Sequence, residues 1–503
     1  MSETHANPLK SSPNTLRVLF VAAEADPLIK VGGLADVTGS LPRALLQLSP
    51  EEAAGCQIDV RLALPFHPVM AGRVRAGGPA AVFDVPRPGG AIQARAYLTK
   101  IDHLPVYLID GEPVAQDEQV YSGDIRKDGN KYVFFSLAAV KLAGALNWMP
   151  DILHAHDWHT ALTAYLLYRA RTEDAAPPPT KTVLTVHNLP FMGLGVEEAL
   201  ASFGIRPLDE PDLPPWGNYQ PLPMGLATAD HITTVSPAYA QEILTPEYGS
   251  GLHDFLRLRA RDLSGIINGL DENAWDPSAD RALAAPFSLH SLEKRRENKL
   301  ALLSETGLSA SPDAPLILFL SRMVYQKGLD LALEALRRLA DQPWQAILLG
   351  TGEPGLEAAA RQLEAEFPSR VRAVIRFDDR LARRMYGGGD IILMPSRYEP
   401  CGLVQMIAMR YGCIPVARAT GGLKDTVLDC QRPEQSTGFL FEQPDPEALT
   451  LALRRALEAY SHPESWQARQ KTAMMQDFSW RRSARAYAQI YHRLHSRSEV
   501  LPV

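Results

Sequence analysis

Short apolar runs of strand type alternate with stretches carrying apolar residues at helical spacing, and this alternation runs through the chain twice. The first series has runs at Leu16–Ala22, Ile58–Leu64, Val106–Asp110, Ile152–His159, Thr182–Val186 and Ala229–Val235. After an irregular stretch a second series follows at Leu316–Leu320, Ala346–Leu349, Val371–Ile375, Ile391–Met394 and Ile414–Val416. Continuous apolar runs of this length, separated by helices, are what strands buried on both faces of a parallel sheet require. A chain of 503 residues also exceeds what one core usually supports. The pattern predicts an α/β protein of two doubly wound units in tandem, with their junction near Leu263–Asp271. The divisions read from the sequence are residues 1–15, a disordered lead; 16–262 and 263–479, two α/β domains; and 480–497, a C-terminal helix.

Charge and composition exclude several classes of function. The net charge is −7 with no basic run, so neither nucleic acid nor an anionic membrane is expected as the main partner. No window approaches 18 uninterrupted apolar residues, and no membrane span is expected. The first 15 residues lack the apolar core of a signal peptide. The four cysteines, Cys56, Cys401, Cys413 and Cys430, have neither zinc-ligand spacing nor disulfide-scaffold density, and a reducing cytoplasm is the expected setting.

The chemistry-bearing residues cluster after strands, where open α/β sheets bind ligands. Lys30, Gly32, Gly33 and Asp36 follow the first strand at a helix start, where glycines let backbone approach an anion and first-turn N–H groups receive it. On its own this turn reads more readily as a tight turn with a solvated lysine. His154, His156, Asp157, Trp158 and His159 follow a later strand, and His187-Asn188 another. The histidines read as a satisfied structural set or as a sugar-hydroxyl contact; no ligand set at metal spacing accompanies them, and no metal is expected. In the second series Arg322 and Lys327 straddle a strand end, and Arg376-Phe377 ends another strand, with Phe377 either a stacking surface or core. Glu399 lies in Ser396–Pro400, between a strand and the helix expected at Leu403–Tyr411. Thr420, Gly421 and Gly422 form a second glycine turn opening a helix.

If the carboxyl ends of the two sheets face each other, these groups meet in an inter-domain cleft. Such a cleft offers two cations and helix N-termini to a diphosphate, with one carboxylate nearby. That suits transfer of a group from a nucleoside diphosphate, where the developing negative charge falls on a phosphate oxygen. A nicotinamide-binding role is disfavoured, because no G-x-G-x-x-G follows the first strand.

The chain resembles the bacterial glycogen synthases and plant starch synthases over nearly its whole length, from about Arg17 to Tyr491. The resemblance rests on KVGGLADV (Lys30–Val37), HAHDWH (His154–His159), TVHN (Thr185–Asn188), ADHITTVSPAYA (Ala229–Ala240) and GIINGLD (Gly265–Asp271). It continues through SRMVYQKGLD (Ser321–Asp330), PSRYEPCGL (Pro395–Leu403) and TGGLKDTV (Thr420–Val427). It implies a retaining glucosyltransferase with two facing Rossmann-like domains of GT-B type, acting on ADP-glucose and an α-1,4-glucan without a cofactor. It implies that Lys30, Gly32 and Gly33 contact the donor diphosphate and that Asp36 lies near the sugar. Arg322 and Lys327 neutralise the diphosphate, and Thr420, Gly421 and Gly422 complete its cradle. Glu399 is the essential carboxylate, His156 sits near the sugar's primary hydroxyl, and Phe377 stacks on the nucleobase. Asn188, Asn268, Cys401, Gly402 and Leu403 fall in the matching substrate-binding pieces, and the last helix crosses back onto the first domain.

Some positions depart from the family pattern. Asn130-Lys131 and Phe134-Phe135 stand where an Asp-Asn and an Arg-Phe pair are usual, and Phe191-Met192-Gly193 replaces Tyr-Gln-Gly. Both lie on the acceptor side. The alternative is therefore a transferase of the same architecture using UDP-glucose, or a small or short-glucan acceptor. A catalytically dead glucan-binding protein is a third reading, disfavoured because Lys30, Arg322, Lys327 and Glu399 are all present. Oligomeric state is not legible.

Overall fold

The computed structural model describes residues 15–72, 77–173, 178–309, 311 and 313–499. All but the last residue of the lead expected at 1–15, and the chain end at 500–503, lie outside these. The chain divides into two units. The first comprises residues up to Thr234, then Ile243–Ile266, and the helix from Trp480 onward; the second comprises Val235–Glu242 and Ile267–Ser479.

The first unit is built on a nine-stranded sheet. Its strands are β1 (Thr15–Val21), β2 (Gln57–Pro65), β3 (Ala81–Arg87), β4 (Gly90–Ile101), β5 (Leu104–Asp110), β6 (Ile152–His156), β7 (Lys181–Val186), β8 (His231–Thr234) and β9 (Leu263–Gly265). They lie in the order β3-β4-β5-β2-β1-β6-β7-β8-β9. Neighbours from β5 across to β9 pair in parallel, and β3 and β4 extend the edge as antiparallel neighbours. Strand order therefore reverses between β1 and β6.

The second unit carries six parallel strands: β10 (Leu316–Leu320), β11 (Gln345–Leu349), β12 (Val371–Val374), β13 (Ile391–Met394), β14 (Ile414–Arg418) and β15 (Phe439–Phe441). Their order, β12-β11-β10-β13-β14-β15, is the 3-2-1-4-5-6 order of a Rossmann sheet, with its switch point between β10 and β13. Side-chain alternation sorts the strands into two cores. Ile317, Phe319, Ala346 and Leu348 pack on one face with Leu333, Leu336 and Leu453. Leu316, Leu318, Ile347 and Leu349 pack on the other with Leu302, Met385 and Ile407. Both faces are dry, so these strands read as unbroken apolar runs rather than alternating ones.

Two sequence expectations need correction. β9 pairs with β8 in the first sheet, so the division falls after Ile266 rather than after 262. Val235–Glu242 belongs to the second unit although it lies within the first series in sequence. A long helix, Ile125–Ala145, starts where the Asp124 side chain caps the Arg126 N–H, and its buried Lys131 draws the preceding polar stretch inward. No helix among the described residues is long and apolar enough to cross a membrane.

Candidate functional site

In the second unit the β10–β13 switch point gathers the expected charged residues. Lys327 follows β10 and Glu399 follows β13, 72 residues apart in sequence, and their side chains meet at 2.6 Å. Glu399 is buried, and the same oxygen, Oε2, also accepts from the Ser396 hydroxyl at 2.9 Å. Gly328, at φ 68°, makes this approach possible: a Cβ there would lie 2.1 Å from the Pro395 carbonyl oxygen. Arg322, which precedes Lys327 on the loop after β10, is exposed. Arg397 is engaged elsewhere, in a bidentate pair with Asp330 and over the Tyr325 ring. Phe377 is 89% exposed, which excludes the core-packing reading.

The second glycine turn differs from expectation. The Gly421 N–H and the Thr420 hydroxyl both donate to Glu242 Oε1, at 2.8 and 2.9 Å, and the Gly422 N–H donates to the Glu399 and Pro400 carbonyls. The turn expected to cradle an anion thus already holds one, a carboxylate of the chain itself. Burial pushes the Glu242 carboxyl above its usual range. Ser236 and Ala238 of the same segment bind the Pro400 carbonyl and Asp425, so this strand-to-helix piece straps the Glu399 loop to the glycine turn. Glu242→Ala is expected to leave the Gly421 and Thr420 donors without their acceptor. The cost is about 1–3 kcal/mol of stability, read by urea denaturation; an unchanged midpoint would remove Glu242 from this role.

Cys401 is buried and receives the Asn268 backbone N–H, and burial pushes its thiol up to about 12. Gly402 adopts φ 73°, with Gln405 bonded to the Cys401 and Gly402 carbonyls, and Leu403 precedes the helix Val404–Arg410. These three residues shape the loop after Glu399 through backbone and packing.

In the first unit the same substitution recurs. The Val31 and Gly32 N–H groups donate to the buried Glu24 carboxylate, which the Tyr121 hydroxyl also approaches at 3.0 Å. Burial is again the main influence, raising the Glu24 carboxyl. The Gly32 N–H is thus engaged by Glu24 in this structure, and Gly33 begins the helix behind it. Lys30 pairs with Asp36 at 2.5 Å, so the two residues expected on diphosphate and sugar hold each other.

The histidines at the ends of β6 and β7 separate into roles. His154 is a structural residue, bonded to the Tyr491 hydroxyl of the helix Trp480–Glu499 at 2.7 Å and to Thr185 at 2.6 Å. His156 is fully buried, stacked on His154 and Phe20, with Nδ1 3.0 Å from His187 Nε2. That ring, expected near the sugar's primary hydroxyl, is thus buried in this structure. Asp157, at φ 54°, accepts the His187 N–H at 2.7 Å, and burial pushes its carboxyl up to about 7. Asn188 is half-buried, with its side-chain oxygen unbonded among the described residues.

Sequence reading missed Glu24 and Glu242 as site-shaping residues, and it noted Asp157 and His187 without their mutual contact. Only the strand-end position of the Asp157 and His187 pieces hinted at it. Among the described residues no group of three or more His, Cys, Asp or Glu side chains is placed to hold a metal ion.

Residues 17–258 match the family model for the starch synthase catalytic domain, and 307–473 match that for glycosyl transferases group 1. The chain is 41% identical over 500 residues to a glycogen synthase of Anaeromyxobacter sp. (strain Fw109-5), covering 95% of this chain and 99% of that protein. It is 40% identical over 487 residues to a glycogen synthase of Geotalea daltonii, covering 95% and 98%. A solved structure of the catalytic domain of starch synthase IV from Arabidopsis thaliana, bound to ADP and acarbose, matches with a TM-score of 0.84 at 34% identity, over 96% of this chain and 100% of that one. Sucrose-phosphate synthase from Thermosynechococcus elongatus, at a TM-score of 0.58 and 19% identity, shares the fold. The two Rossmann-like sheets are those of the GT-B fold class.

Proposed function

This chain belongs to the glycogen synthase and starch synthase family, and from that footing we propose that it transfers glucose from ADP-glucose to the non-reducing end of an α-1,4-glucan with retention of configuration. The observation that carries this reading is the Lys327–Glu399–Ser396 cluster at the β10–β13 switch point. A diphosphate arriving there finds the exposed Arg322 and a Lys327 ammonium with donors beyond the one given to Glu399. Their charge stabilises the departing nucleoside diphosphate, while Glu399 faces the positive charge that grows on the sugar ring. Phe377 offers an open ring for the nucleobase. Glu242 and Asp425 are spent on backbone N–H groups, leaving Glu399 as the carboxylate of this cluster. Attack on the same face as the departing diphosphate follows, with a diphosphate oxygen taking the acceptor proton. A glucosyl adduct trapped on a protein carboxylate during turnover would refute that route.

The reading calls for no metal or cofactor and for a cytoplasmic enzyme. Support for ADP as the nucleotide comes from the Arabidopsis structure, which binds ADP together with acarbose. Phe191, 62% exposed where the family pattern has tyrosine, favours a second reading in which the acceptor is a short glucan. Initial rates with ADP-glucose and UDP-glucose on glycogen, and then on maltotriose, separate these. Faster transfer from ADP-glucose to glycogen is expected. Faster UDP-glucose use overturns the donor assignment, and transfer confined to maltotriose overturns the acceptor assignment.

A further inference from the structure

The segment Ser236–Glu242 follows β8, yet it belongs to the second unit, where it grips two loops at once. One is the loop after β13 that carries Glu399; the other is the turn Thr420–Gly422 after β14. At one end the buried Ser236 hydroxyl donates to the Pro400 carbonyl at 2.6 Å. At the other end Glu242 Oε1 accepts from the Gly421 N–H at 2.8 Å and from the Thr420 hydroxyl at 2.9 Å. Between them the Ala238 N–H donates at 2.7 Å to Asp425, on the short helix that the turn opens.

The turn holds the Glu399 backbone. The Gly422 N–H donates to the Glu399 carbonyl at 3.1 Å and to the Pro400 carbonyl at 3.2 Å. The two loops lie so close that a Cβ on Gly421 would collide with the Glu399 carbonyl, and one on Gly422 with the Cys401 carbonyl. Lys327 and Ser396 fix the tip of the Glu399 side chain, whereas these contacts fix the main chain it springs from. Bonds to a carboxylate are charge-assisted and roughly twice as strong as neutral ones. Removing the Glu242 carboxylate releases the Gly421 N–H and the Thr420 hydroxyl together.

We propose that Glu242 is a positioning residue for glucosyl transfer, holding the Glu399 backbone in register through the Thr420–Gly422 turn. Its carboxylate acts at one remove, through two hydrogen bonds to the turn and then through the Gly422 N–H. The role deepens the proposed glucosyl transfer and rests on that reading for the part Glu399 plays.

Glu242→Ala is expected to lose about 10–100-fold in kcat with the donor KM changed only a few-fold, since a displacement of about 1 Å costs up to about 10²-fold. Glu242→Gln keeps an oxygen for both donors and is expected to stay within about threefold of wild-type kcat. In the Glu399→Gln background, Glu242→Ala is expected to add little, because the carboxylate it positions is already gone. An unaltered kcat in Glu242→Ala, with or without a lower KM, overturns the proposal. A Gln variant as impaired as the Ala one assigns the effect to charge and overturns it too, as do losses that multiply in the double variant. Hydrogen exchange read by mass spectrometry gives a measure independent of turnover. Amides of residues 396–403 are expected to exchange faster in Glu242→Ala but not in Glu242→Gln, with those of Leu316–Leu320 unchanged. Unchanged exchange at 396–403, or faster exchange throughout the unit, overturns the proposal. A wild type that transfers no glucose defeats the functional reading instead, and the exchange data still decide whether Glu242 holds the Glu399 loop.

Discussion

Glu399→Gln is expected to lower kcat by about 10²–10³, by analogy with removal of one preorganised electrostatic group from a transition state, with the KM for the glucose donor changed only a few-fold. The amide keeps the size of the carboxylate and still accepts from Ser396, so the buried loop holds its shape. On the proposed mechanism, what disappears is the negative charge opposite an oxocarbenium-like sugar, which matters mainly in the transition state and so falls on kcat. Lys327 loses its counter-ion at 2.6 Å and becomes more available to the donor diphosphate, which is why KM is not expected to rise steeply. Lys327→Met is expected to reduce kcat as well, and the double variant to lose less than the product of the two. Groups that act as a unit are strongly non-additive. Initial rates of glucosyl transfer to glycogen measure all three; a Glu399→Gln enzyme within about threefold of wild-type kcat would remove Glu399 from the chemistry.

Lys131→Met is expected to cost about 3–5 kcal/mol of stability, the range for breaking a buried ion pair by removing one partner. For a unit of this size that corresponds to a fall in Tm of roughly 10 °C. The ammonium is fully buried, 2.6 Å from Asp117 and 3.0 Å from Asp128, and also donates to the Gln119 and Val120 carbonyls. Burial works against the Asp117 carboxylate, but Lys131 and the Gln119 N–H outweigh it and hold its pKa below the usual range. Without the cation, two buried carboxylates face two carbonyls. The damage is not confined to the core, because the pinned segment carries Tyr121, whose hydroxyl reaches Glu24, and Glu24 holds the Gly32 N–H. Thermal unfolding together with the KM for donor tests both parts. A Tm loss below about 2 °C would mean that the pocket repacks around methionine.

The elements were largely legible because buried parallel strands carry a strong local signal. Ile391–Met394 and Leu316–Leu320 fall where the apolar runs placed them. β15 was missed, since three residues, Phe439–Phe441, carry too short a pattern to stand out. The two glycine turns were also visible, as was Glu399 at a strand end. What occupies those turns was not. Glu24 lies eight residues from Gly32, and Glu242 lies 179 residues from Gly421.

The sequence by itself determined the class of fold and the placement of cations, carboxylate and glycines after strands, because periodicity and turn chemistry act over a few residues. Its resemblance also determined the family. Only the tertiary structure decided which of those groups already have partners: Gly32 and Gly421 in the chain's own carboxylates, and Lys327 in Glu399. Hydrogen-bond and charge partners are chosen by proximity in space, across separations at which a single sequence carries no pairing signal.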